Sequence, residues 1–153
     1  MERSIVIHLA TVVCIGTAAS SAYAHHSHGM FYDQCTSVTI DGKIEAVQWK
    51  NPHTLIDVKT NDGATFRAEW TSLQGLANGG VAGPAQEALT VGERIVVTGN
   101  PMRDAAAIHA SFPAYKEPAE KMKVIDVTQI RRASDSWNWS RSPESIPQGC
   151  AQK

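Results

Sequence analysis

Charge of one sign is what this sequence most plainly lacks, since 14 Lys and Arg are met by 15 Asp and Glu in 153 residues, leaving a formal net charge of −1. No basic surplus steers the chain toward nucleic acid or an anionic membrane. The usual enzyme signatures are missing as well. Ser27 and Ser72 stand in no G-x-S-x-G setting, there is no H-E-x-x-H, and Asn78-Gly79-Gly80 has no following Lys to make a phosphate loop. No internal repeat is visible. Cysteine is reduced to Cys14, Cys35 and Cys150.

What is present begins with a leader. Arg3 supplies a short charged start, Ile5 to Ala19 is almost uninterrupted apolar or small residues, and Ala22-Tyr23-Ala24 provides an A-x-A cleavage site. The apolar stretch is short for a bilayer span and no stop-transfer segment follows, so residues 1–24 read as a secretory signal peptide and the protein as periplasmic or secreted. Thr11-Val12-Val13 before Cys14 lacks the small residue of a lipoprotein cleavage site. Removing 24 of 153 residues leaves 129, a length for one domain with a core of its own. It also leaves two cysteines, and in an oxidising compartment Cys35 and Cys150 read as one disulfide joining the start of the domain to its tail.

Past that point the pattern is one of short strands. Val38, Ile40 and Ile44 share one parity while Val47 and Trp49 take the other, as expected of a long first strand with a bulge near Glu45-Ala46. Asn51-Pro52 makes a turn, and His53 to Lys59 a second strand with Ile56 and Val58 on one face. Asn61-Asp62-Gly63 is a hairpin turn into a third strand, Thr65 to Trp70, with Phe66, Ala68 and Trp70 facing inward. Asp57 and Glu69 fall on the outer faces as solvated charges. Ser72 to Ala77 is a short helix candidate, followed by a glycine-rich stretch and a further turn over Ala85 to Leu89. A fourth strand ends at Gly99, Asn100 to Asp104 turns the chain, a fifth runs from Ala107 to Tyr115 on the alternation of Ile108, Ala110 and Phe112, and a sixth from Lys123 to Ile130.

This order of elements predicts a mainly β fold: a small OB-type barrel of five or six strands over residues 25–130, with a short helical crossover. A two-sheet sandwich is the less favoured arrangement. Residues 131–153 have no sustained period and read as an extended tail. Trp137 and Trp139, two apart, would lie on one side of it, to pack on the barrel or to stack on a flat ligand.

The leading His25-His26-Ser27, Phe31 shortly after, Trp49-Lys50-Asn51-Pro52-His53 entering a strand, and Gly92 to Gly99 followed by Pro101 and Arg103-Asp104 together resemble the secreted bacterial family catalogued as domain of unknown function 6152. The resemblance covers roughly Ala24 to Phe112. It implies an exported small β domain and no particular activity, and it does not extend to the tail or the cysteine pair.

Chemistry concentrates at the new N-terminus. Cleavage after Ala24 would expose His25-His26-Ser27-His28 beside a free amine, a nitrogen-rich set suited to Cu(II), Ni(II) or Zn(II). An N-terminal histidine can chelate through its amine and ring, and one further imidazole completes a three-nitrogen set that favours copper. His53, at the mouth of a strand after a proline turn, is the natural donor of that imidazole. Met30 and Met102 can add a thioether for Cu(I), and His109 is a weaker candidate. The expected metal ligands are therefore His25, His26, His28 and His53, the expected cofactor a copper ion, and the expected role buffering, delivery or sensing rather than catalysis. A copper-dependent oxidase ranks below plain binding because no substrate pocket is legible. The alternative is a module without metal whose barrel face or tryptophan tail takes a peptide, a glycan or a partner protein, and under that reading His53 simply caps its turn.

Overall fold

A computed structural model describes residues 28–78, 89–114, 116 and 122–142. Its strands are β1 (Val38–Gln48), β2 (Leu55–Thr60), β3 (Thr65–Glu69), β4 (Arg94–Pro101), β5 (Lys123–Arg132) and β6 (Asn138–Ser140). Among the described residues three short helices accompany them: α1 (His28–Phe31), α2 (Leu73–Asn78) and α3 (Ala105–Ser111). Among the described residues no helix is long and apolar enough to cross a membrane.

The long first strand serves two neighbours. Its first half pairs with β4 and its second with β2, both antiparallel, and the register slips between Ile44 and Ala46. That is the bulge expected from the parity change, and it lets one strand turn the corner of a barrel. β2 pairs with β3, β4 with β5, and β3 returns in parallel to β5, which closes a five-stranded OB-type barrel. β6 is an extra strand on β5. The interior is filled by Ile40, Ile44, Ile56, Val58, Ala68, Ile95, Val97, Ile125, Val127 and Ile130, whose β-branched side chains suit a pleated wall. At one end Trp70 meets Trp139 edge to face at 5.3 Å, with Trp49 and Trp137 also against it.

One expected strand is a helix. Residues 105–111 form α3, with Asp104 as its N-cap accepting from Ala107 N at 2.7 Å. Three successive alanines favour a helix by propensity, and the Ile108–Ala110–Phe112 alternation is incidental: Ile108 is buried while Phe112 is exposed. The turn expected at Asn100 also starts later, because β4 runs through Pro101. The expected helix after Ser72 is α2, while the glycine-rich stretch and the turn after it fall in residues 79–88, outside the described residues.

The segment expected as an extended tail is described as far as Ser142. It is extended, but it first turns back on itself. Arg132 N donates to Trp137 O, Trp137 N donates to Asp135 Oδ1, and the Arg132 guanidinium lies 5.0 Å from the centre of the Trp137 ring. The returning strand carries Trp139 into the core, where its large apolar area is buried, so the tryptophan pair packs on the barrel.

Candidate functional site

The site forms where the start of the described chain crosses the outside of the β3–β5 seam. Residues 28–36 are tied down by backbone pairing: Tyr32 bridges Met102, Asp33 N donates to Pro101 O, and Arg103 N donates to Phe31 O. Asn100 Nδ2 donates to Thr36 O at 2.8 Å, and Arg103 Nε to Gly29 O. These bonds hold α1 against the barrel and set His28 above Asp126.

Asp126 lies on the outer face of β5, opposite Glu69 of β3 in register, yet its side chain is only 2% exposed. Arg141 covers it, donating Nη1 to Oδ2 at 2.8 Å and Nη2 to Oδ1 at 2.5 Å, and the same Nη2 donates to Val127 O. His28 Nδ1 approaches Oδ2 at 3.1 Å. Burial alone would raise the Asp126 pKa, but contact with His28 and Arg141 outweighs it and holds the carboxyl below its ordinary value. The same contact with Asp126 raises the His28 pKa above 6.5, against burial and the repulsion of Arg141.

His53 is placed by the turn before β2. The Asn51–Pro52 bond is cis and Asn51 Oδ1 accepts from Leu73 N, which fastens the turn to the start of α2. Thr54 pairs with the Trp70–Thr71 backbone and carries the β2–β3 ladder one step further. His53 Nδ1 then lies 3.2 Å from Trp70 O. A carbonyl oxygen only accepts, so Nδ1 carries the proton and the neutral ring keeps its lone pair on Nε2. That nitrogen stands 4.0 Å from Glu69 Oε1, and Glu69 Oε2 accepts from the buried Tyr32 hydroxyl.

The rings of His28 and His53 meet nearly at right angles with centroids 5.5 Å apart. Two of the four expected ligands are therefore neighbours, while His25 and His26 lie outside the described residues. Among the described residues no group of three His, Cys, Asp or Glu is arranged to hold a metal ion. Met30 and Met102 are not part of the groove lining, and His109 sits exposed on α3, away from it. Asp57 and Glu69 are not plain solvated charges: Arg67 clasps Asp57 with bonds of 2.8 and 2.9 Å, and Glu69 holds Tyr32.

Sequence reasoning missed Asp126 and Arg141, which face each other only because β5 and the chain after β6 lie side by side. It also missed the groove beside them. β3 and β6 contact the same edge of β5, one along its first half and the other along its second. In the gap between them opens a cavity of about 770 Å³, lined by His28, His53, Trp70, Asp126, Trp139 and Arg141, with Gly75 and Asn78 of α2 also on its wall.

Three comparisons bear on this chain. The model of a family of unknown function, DUF6152, matches residues 11–111. No curated protein matches. Among solved structures the chain is similar to one described as the S. pombe Stn1-ten1 complex, at 11% identity and a TM-score of 0.43, covering 65% of this chain and 59% of that one. The chain thus spans about three-fifths of that structure's length.

Proposed function

Because the chain belongs to DUF6152, a family of unknown function, its role rests on its own site, and we propose that it is an exported small β-barrel protein that binds a transition metal, copper above all, through the histidine cluster at its mature N-terminus. The role is to buffer, deliver or sense the ion. The observation that carries the reading is the seating of His28 against His53, with centroids 5.5 Å apart. His53 supports it further, because a ring whose Nδ1 is held by a backbone carbonyl offers Nε2 in a fixed direction. The remaining donors are His25, His26 and the new amine. His25 is three residues from the anchored His28, a span of roughly 10 Å at full stretch, so both upstream histidines are within range of His53. Such a set of neutral nitrogens suits Cu(II), then Ni(II) or Zn(II).

Export is supported by the leader pattern of residues 1–24. It agrees with the expected Cys35–Cys150 bond, since an exported chain meets an oxidising compartment.

The test is a Cu(II) titration of the cleaved protein, followed by calorimetry and by visible and paramagnetic-resonance spectra. We expect tight binding that a single extra N-terminal residue weakens by blocking the amine, and that His53→Ala weakens roughly 10-fold or more. Unchanged affinity with the extra residue refutes the amine chelate. Absence of tight binding leaves the module without metal, for which the groove in the seam is the supporting feature.

A further inference from the structure

The groove carries a chemistry that metal binding does not use. Trp70 is 1% exposed and lines the groove, and among the described residues its indole Nε1 has no hydrogen-bond partner. Buried donors are nearly always satisfied, and an indole N–H can only donate, so the group missing here is an acceptor.

Arg141 indicates the charge of that acceptor. Its guanidinium has five donor hydrogens, and the Asp126 and Val127 bonds account for three. Its side chain keeps 20% of its surface exposed, against 2% for Asp126, the carboxylate of the lining. The permanent charge offered to an entering solute is therefore positive. Trp139 indicates the body of the ligand, since it lines the same groove edge to face with Trp70 and provides an apolar wall beside the donors. The volume of about 770 Å³ is that of a small-molecule site.

We propose that the groove binds a small organic carboxylate with a flat apolar body. One oxygen accepts the Trp70 Nε1–H, the negative charge is met by the spare donors of Arg141, and the body lies against Trp139. The two spare donors lie on opposite edges of the guanidinium and each meets a single oxygen, so the choice of ligand rests on the flat wall of Trp139, which favours a carboxylate carrying an apolar body over inorganic phosphate, which has none. None of these three side chains is a donor in the metal reading, so the two stand or fall separately.

The experiment uses the ¹⁵N-labelled protein freed of metal on a chelating resin, with benzoate, acetate and inorganic phosphate as probes. The readout is the Trp70 indole resonance, assigned through its contacts with Trp139 in the unaltered protein. Benzoate is expected to move that proton downfield and to saturate with a Kd of about 1 mM or below. Acetate, lacking the flat body, is expected to bind at least about 10-fold more weakly, and phosphate to leave the resonance in place. Ser140→Asp, an exposed change on β6 at the groove, adds a negative charge without touching the core and is expected to weaken benzoate about 10-fold. A Trp70 resonance that does not respond to benzoate overturns the proposal. Phosphate acting as well as benzoate overturns the carboxylate class, and indifference to Ser140→Asp overturns the placement in this groove.

Discussion

At the scale of single residues, the decisive cluster is His28, Asp126 and Arg141. Asp126 is almost wholly buried and is tolerable there only as a pair. Asp126→Asn is expected to cost about 3 to 5 kcal/mol, toward the lower end because Arg141 is partly exposed and can rehydrate, as measured by urea denaturation. The pH dependence follows from the two shifts. The folded pKa of His28 lies above 6.5, so its contribution is complete below 6.5 and is lost as pH rises through the folded value. That of Asp126 lies below 3.8, so its contribution is complete above 3.8 and is lost as pH falls through the folded value. The metal-free protein is thus expected to lose stability on passing from pH 6 toward pH 8, and His28→Gln to flatten that slope in the same denaturation series. The histidines were legible in the sequence from residue type and from the proline turn ahead of His53. Their carboxylate partner was not, since an acidic residue on an outward strand position looks like any solvated charge until another segment is laid over it.

At the scale of elements, legibility followed the strength of local pattern. The bulge in β1 could be read because a change of parity leaves a trace at every later position. The Asn61-Asp62-Gly63 turn could be read because Gly63 must take a positive φ, here 87°. α3 was misread as a strand because three apolar residues at spacing two outweighed a capping aspartate and a run of alanines. The cap can be weighed directly: Asp104→Ala is expected to cost about 1 kcal/mol in thermal or urea melts, by removing the acceptor of the Ala107 N–H. β6 escaped notice because a three-residue strand has no period, and its place depends on the turn that Asp135 and Arg132 organise.

At the scale of the whole molecule, the barrel and the site share a backbone contact. Gly99 of β4 sits at a register slip opposite Val127, and a Cβ there would stand 2.6 Å from Asp126 O. Gly99→Ala is expected to destabilise by about 1 to 3 kcal/mol through overpacking, and to weaken the His28–Asp126 contact as the β5 backbone gives way. A His28 titration midpoint that falls back toward 6.5 in this variant, followed by NMR, checks the second effect. OB topology was readable from the order of elements; the open seam was not, because it depends on where β3 leaves β5 and β6 joins it.

The backbone bonds that fasten residues 28–36 to the end of β4 and the residues just after it do more than order a terminus. With cleavage after Ala24, as proposed above, they fix one end of a leash only three residues long, so for His53 the imidazoles upstream of His28 are present at an effective concentration of about millimolar or higher, whatever the dilution of the protein. Under the proposed metal binding, capture of an ion between them is then an intramolecular event. A free peptide carrying the same four residues would have to assemble that set from solution.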